Sequence, residues 1–240
     1  MKQWLAGLCL SAVALAAPLG AQTAEDIISR NIAARGGAVR LRALQTERLA
    51  GHISFGTRPA EPFLVEIKRP GMIRNQIGPE GSAIIQVSNG QAGWALVPGR
   101  DSGQPRQLDA DQLRNMAGGA DLEGPLLDHE KKGNTVELLG KVEVRGRPAW
   151  KLRVVEADGE VRLDYVDAES FLEDKWEGTI RVDGRDQAVE TYFSDYRPVG
   201  GVMVSFRLDS GSPGTPTTQK LVFDSAAVDI PIADGRFERP

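Results

Sequence analysis

Phe63-Leu64-Val65-Glu66-Ile67-Lys68-Arg69-Pro70 alternates as a half-buried strand does. Phe63, Val65 and Ile67 share one face, and Glu66 and Lys68 share the other. Carried one step further, the parity sets Arg69 on the apolar face, where a guanidinium needs acceptors or water. The alternative is that the parity breaks at the strand end and Arg69 turns to solvent. Pro70 ends the run, because it cannot donate to a sheet ladder.

The same period recurs on both sides. Ile53 and Phe55 share a parity, as do Ala83, Ile85 and Val87 before the turn pair Asn89-Gly90, with Trp94 and Leu96 on the returning strand. Later runs repeat it through Val136, Leu138, Trp150, Leu152, Val154, Leu163, Tyr165, Val204, Phe206, Leu221 and Phe223. The opposite parity carries charge, as in Glu173, Lys175, Glu177 and Arg181, so the expected sheet is antiparallel with one wet and one apolar face. Helical signals are few. Thr23-Ala24-Glu25-Asp26 reads as a capped helix start before Ile27, Ile28 and Ile32, with Gly36-Gly37 as its stop. A short piece is expected over Ala38–Leu44, another over Asp109–Ala117 with Leu113 and Met116 on one side, and a last helical turn around Leu122, Leu126 and Leu127. Asp234 and Glu238 read as part of a solvated tail.

The chain has 240 residues, 41% hydrophobic and 26% charged, enough for a sizeable core. Residues 1–21 read as a secretory signal: Lys2, an apolar run from Leu5 to Ala17, and small residues up to a cleavage point after Ala21. That run is shorter than the ~20 residues a spanning helix needs. Cys9, the sole cysteine, lies inside it. The mature chain, residues 22–240, would therefore carry no thiol, which excludes disulfides, a cysteine nucleophile and cysteine metal sites. Its 28 basic residues stand against 33 acidic ones, without a basic cluster, and nucleic acid is not an expected partner. No linker or composition shift divides residues 22–240, so one domain is expected in the periplasm.

One sheet with one apolar face must have that face covered. The fold class expected is mainly β with helices (α+β): a large curved antiparallel sheet under an N-terminal helix and short mid-chain helices. If the sheet closes it covers itself; if it curls part-way, an apolar concavity remains that suits acyl chains.

Lys68-Arg69-Pro70-Gly71-Met72-Ile73-Arg74, followed by Ser88-Asn89-Gly90 and Trp94, resembles the LolA/LolB-like superfamily of periplasmic lipoprotein-sorting carriers. The layout of helix, strands, mid-chain helices and strands is similar too, down to a phenylalanine near the terminus, Phe237. The resemblance implies an unclosed half-barrel with helices as a lid. It also implies that Arg69 points inward and bonds lid carbonyls as a latch. The acyl-chain surface expected on this basis is Phe55, Phe63, Val65, Ile67, Ile85, Val87, Trp94, Leu96, Leu113 and Met116. The implied partner is an acylated lipoprotein or lipid, received from an inner-membrane delivery complex and passed to an outer-membrane acceptor by a monomeric carrier.

Two other classes of function compete with the carrier. An enzyme finds little support: Asp128-His129-Glu130 reads as a solvated turn, His52 sits at a strand start, and there is no nucleophile elbow, zinc pair or phosphate loop. No catalytic residue, metal or cofactor is therefore expected. A non-enzymatic lipid-sensing or protein-interaction module of the envelope with the same fold is the remaining alternative.

Overall fold

A computed structural model describes residues 22–100 and 103–240, and the expected signal segment, 1–21, lies outside them. Thr23 caps helix α1 (Ala24–Ala34): its hydroxyl accepts from the Asp26 N–H, and the Asp26 carboxylate accepts from the Thr23 N–H. This satisfies donors that a helix start leaves unpaired. After Gly36-Gly37 comes the short α2 (Ala38–Ala43). Strands β1 (Thr46–Phe55), β2 (Glu61–Lys68), β3 (Met72–Ile77), β4 (Ile84–Ser88), β5 (Gly93–Leu96) and β6 (Arg106–Gln107) lead to α3 (Ala110–Gly119). Asp109 and Gln112 cap α3 in the same reciprocal way. The second half consists of β7 (Thr135–Val144), β8 (Arg147–Val155), β9 (Val161–Asp167), β10 (Glu173–Val182), β11 (Arg185–Val199), β12 (Val202–Gly211) and β13 (Gln219–Val228).

The 13 strands of the described residues form one sheet, in the order β6-β5-β4-β3-β2-β1-β13-β12-β11-β10-β9-β8-β7, with every neighbouring pair antiparallel. β13 returns to β1, so two meanders join in the middle. The edges β6 and β7 do not meet, and the sheet is an unclosed half-barrel. The pairing of β12 with β13 spans only Arg207–Ser210 against Gln219–Val222. Beyond it the α1–α2 link packs against β12: a Cβ on Gly36 would fall 2.3 Å from the Gly201 carbonyl oxygen, and the Met203 N–H donates to the Arg35 carbonyl. Glycine is required there for the approach.

Ile27 and Ile28 of α1 pack on Leu152, Val154 and Val166 of the second half. Leu41 and Leu44, with Met116 of α3 and Ala120 just beyond it, pack on Ile53, Phe63, Val65, Ile67 and Ile73 of the first. Phe63 stacks with Phe223 across β1, their centroids 6.2 Å apart. The expected helical turn at Leu122, Leu126 and Leu127 is instead a series of bends and turns. Gly124, at φ +74°, and Pro125, which lacks an N–H, interrupt it. Leu126 and Leu127 are nonetheless buried.

Asp234 and Glu238 are exposed, as expected, but the tail that carries them is docked on the sheet. Phe237 is fully buried, and with Ile230 and Ile232 it packs against Val87, Trp94 and Met72 on the outside of the sheet. Lys68 Nζ donates to the Ile232 carbonyl and pairs with Asp234, and Arg236 pairs with Glu66. The convex face is therefore apolar at β4 and β5, not wet.

Candidate functional site

The register fixes which side chains face the helices. Phe63, Val65 and Ile67 lie opposite Gly51, Leu49 and Glu47 on β1 and opposite Ile77, Asn75 and Ile73 on β3. Following the pairs outward, the concave face continues through Ile84, Gln86 and Ser88 on β4 and through Gly93 and Ala95 on β5. α3 presses onto this surface at Gly93, where an added Cβ would fall 2.7 Å from a Leu113 methyl and 2.8 Å from the Val87 carbonyl oxygen.

Of the residues expected to form the acyl-chain surface, Phe63, Val65, Ile67 and Met116 come together in one buried cluster, with Phe55 and Leu113 at its margin. Ile85, Val87, Trp94 and Leu96 fall on the opposite, convex face, and this is a correction. β4 carries apolar residues at both parities, Ile84 and Ile85, so periodicity alone does not orient it. The tail ending in Phe237 makes an outward Val87 and Trp94 favourable. In the conformation seen, Leu41, Leu44, Met116 and Leu127 fill the space above Phe63, Val65 and Ile67.

Arg69 lies at the end of β2, beyond Lys68, and turns under the helices. Its Nε donates to the Leu44 carbonyl, and its Nη2 donates to the Leu41 carbonyl (3.2 Å) and to the Glu123 carboxylate (2.6 Å). Glu123 is a hub: its backbone carbonyl accepts from Arg35 Nη1 at 2.6 Å, and its second carboxylate oxygen lies 3.4 Å from Lys132 Nζ. The 121–124 segment is thus tied to the end of α1 and to the end of β2 by two arginines. Sequence reading placed Arg69 but missed Arg35 and Glu123. Nothing local marks Glu123, because its partners lie 54 and 88 positions away in the chain.

α3 is held at a second point. Asn115 Nδ2 donates to the Arg181 carbonyl at 2.6 Å, and its Oδ1 accepts from the Arg181 N–H at 3.2 Å. The side-chain amide thereby acts as a strand neighbour for β10. Beside α3, the turns at Pro70-Gly71 and Ser88-Gly90 bound a groove of about 500 Å³, walled by Leu113 and Arg114.

The interior also holds charge. Glu47 faces inward beside Leu49, and burial pushes its carboxyl up to about 7 despite the opposing influence of Arg35. On the facing wall, Arg162 donates to Asp164 (2.6 Å) and to Glu173 (2.9 Å). Burial, and then the neighbouring Asp164, push Glu173 up to about 7. Burial likewise raises Asp164, and it raises Tyr196, whose hydroxyl donates to the Glu173 carbonyl.

His129 does not stand in a solvated turn: its side chain is largely buried, and Nε2 lies 3.2 Å from Glu25 at the start of α1. His52 sits on the convex face, 3.1 Å from Asp224. Among the described residues no three His, Cys, Asp or Glu side chains converge in a way that could hold a metal, and no helix is long and apolar enough to cross a membrane.

Solved structures share this architecture. One is a DUF1329 family protein from Desulfovibrio piger, with 13% identity over 91% of this chain and 98% of that one, at a TM-score of 0.61. A domain from Vibrio parahaemolyticus named for outer membrane lipoprotein sorting has 10% identity over 88% and 94%, at 0.58. A LolA superfamily protein from Nitrosomonas europaea has 16% identity over 91% and 99%, at 0.57. The fold is therefore the one these structures share, an open antiparallel half-barrel with helices over its concave face. No family model and no curated protein matches the sequence.

Proposed function

We propose that this chain is a periplasmic carrier, exported by a signal cleaved after Ala21, whose residues 22–240 form one lipid-binding domain. It takes the acyl chains of a lipoprotein or lipid onto the concave face and moves them toward the outer membrane. The observation that carries this reading is the contrast between the two kinds of contact under the helices. An apolar surface built from Phe63, Val65, Ile67, Ile53 and Phe223 is covered by short helices, and the cover is tied down by the polar contacts of Arg69 and Arg35. Each hydrogen bond to a charged group contributes roughly 1.5–3 kcal/mol, whereas each buried methylene of an acyl chain contributes ~0.8 kcal/mol. A diacyl ligand therefore has enough apolar surface to displace Leu41, Leu44 and Met116, and the arginine contacts re-form when it leaves. The fold shared with a protein named for lipoprotein sorting supports the same reading.

The test is native mass spectrometry of protein purified from its own periplasm under mild conditions. A co-purifying lipid or acylated peptide, diminished by Val65→Asp or Ile67→Asp variants that remain folded, is the expected result. A clean apo mass that stays unchanged when diacyl lipids or lipopeptides are added overturns the carrier reading. It would move the weight to a protein-interaction module of the same fold.

A further inference from the structure

The convex face carries a charge imbalance under the C-terminal tail. Glu66 on β2 is fully buried, and three guanidiniums surround it. Arg48 Nη2 lies 2.5 Å from one carboxylate oxygen, and Arg236 Nη2 lies 2.6 Å from the other. Arg74 stands directly opposite Glu66 in the β2–β3 ladder, a pairing that sets Cβ atoms about 5 Å apart. Arg74 is the unsatisfied member. It is 8% exposed and has no ion pair among the described residues. Its Nη1 donates to the Arg236 carbonyl at 3.3 Å and its Nη2 to the Gln76 amide oxygen at 3.4 Å, both long contacts, and its Nε has no acceptor. Both oxygens of Glu66 are taken by the other two arginines. A buried cation held only by neutral groups is costly, and burial, then the neighbouring Arg236, lower the proton affinity of Arg74.

The tail that covers this cluster shows which chemistry the face accepts and where the fit fails. Ile232 and Phe237 pack on Val87, Trp94 and Met72, and Asp234 pairs with Lys68. These apolar and acidic side chains suit the surface. Arg236 does not, because it brings a third guanidinium to a single buried carboxylate and offers Arg74 only a backbone carbonyl. A segment with the same apolar residues and a carboxylate in place of the Arg236 guanidinium sets two carboxylates against two guanidiniums.

We infer that the tail is a replaceable cover, and that the face beneath it docks an extended segment of a partner protein in which an acidic residue immediately precedes an aromatic one. The aromatic ring takes the site of Phe237, and the carboxylate pairs with Arg74. The inference goes beyond the carrier reading and does not depend on it. The tail is tethered at β13 and competes at high effective concentration, so the gain at Arg74 decides the exchange. The docking face is the outer side of β2, whose inner side carries Val65 and Ile67, so a partner reaches it without entering the concave face.

The experiment presents two fluorescently labelled peptides to the whole exported chain: residues 230–240 as they stand, and the same peptide with Arg236→Glu. Anisotropy reads binding, and hydrogen exchange over residues 230–237 reads release of the tail. The Arg236→Glu peptide is expected to bind roughly tenfold more tightly than the unaltered one, the ratio that one charge-assisted hydrogen bond supports, and to quicken exchange in the tail. Both peptides should bind more tightly to the Phe237→Ala protein, whose own tail competes less. Arg74→Gln removes a cation that has no anionic partner, so it should keep the parent's melting temperature and abolish the preference between the peptides. Equal affinities, a preference that survives Arg74→Gln, or binding without faster exchange in the tail overturns the inference. So does failure of both peptides to bind the Phe237→Ala protein, or a marked loss of stability in Arg74→Gln, which would make Arg74 a structural contact of the tail.

Discussion

Arg69 and Glu123 form an ion pair under the helices, with Nη2 and Oε1 2.6 Å apart, and Glu123 keeps only 13% of its side chain exposed. The same guanidinium serves the carbonyls of Leu41 and Leu44, so one side chain joins β2, α2 and the 121–124 segment. Removing it strands a largely buried carboxylate, with Lys132 at 3.4 Å as its remaining cation. Arg69→Leu is expected to destabilise the protein by about 2 kcal/mol, less than for a fully buried pair because Arg69 is partly exposed. Urea unfolding measures that. Hydrogen exchange should quicken at Leu41, Leu44 and residues 121–124 before the sheet responds, and unchanged protection there would sink the latch. A double-mutant cycle with Glu123→Gln should give a coupling on the order of 1 kcal/mol, since the two residues touch.

The interior carboxyls make stability depend on pH in an uncommon direction. Glu47 has an ordinary value of 4.5 and is pushed up to about 7 in the folded protein by burial. Between those values the folded state holds a proton that the unfolded state has released, so Glu47 makes stability fall as pH rises from about 4.5 to about 7 and level off above. Glu173 acts in the same sense. Glu47→Gln removes its share, so the variant should gain stability on the parent as pH rises through that window, by an amount on the order of 1 kcal/mol. A parent-minus-variant difference that is flat from pH 4.5 to 8 would contradict the raised proton affinity of Glu47.

The half of the site that rests on strand period was legible in the sequence. Phe63, Val65 and Ile67 alternate with Leu64, Glu66 and Lys68, and their burial follows that alternation except at Glu66, which is fully buried. The capped start at Thr23 and Asp26 was legible for the same reason, because the signal is contained within four residues. What was not legible depends on distant chain. Val87 and Trp94 point outward because the tail carrying Ile232 and Phe237 crosses behind them, more than 130 positions later in the chain. Glu66 reads as a solvated strand residue yet is buried under Arg48 and Arg236. Glu47 and Glu173 are ordinary polar positions in their own strands, and only the curl of the sheet brings both into the field of Arg35.

The tail itself is testable. Phe237 fills a site on the convex face with Val87 and Ile232, and Glu66 takes Arg48 on one carboxylate oxygen and Arg236 on the other. Phe237→Ala should cost about 3 kcal/mol, as large aromatic truncations in cores do. It should also expose the segment after Val228 to proteases at low concentration. Glu66→Gln leaves two guanidiniums facing a neutral amide and should cost less, about 1–2 kcal/mol. If limited proteolysis cuts the parent after Val228 as readily as the Phe237→Ala protein, the tail is not docked as described.

Asn115 offers a way to loosen α3 without touching the apolar core. Its amide both donates to and accepts from the backbone of Arg181, so Asn115→Asp loses the donor and sets a carboxylate against the Arg181 carbonyl oxygen. Because both residues are exposed, the cost in global stability should stay below about 1 kcal/mol. The local effect should be larger: repulsion between the new carboxylate and the Arg181 carbonyl oxygen should pull the side chain off the strand, so the Arg181 amide should exchange faster than its neighbours in β10, and the β10–β11 turn at Asp183-Gly184 should gain mobility. On the carrier reading the same variant releases a bound fluorescent fatty-acid probe faster than the parent, while Arg181→Lys, which keeps the backbone contact, does not. Equal release rates for Asn115→Asp and the parent would show that α3 does not move when ligand leaves, and would assign the opening to the 121–124 segment held by Arg69 and Arg35.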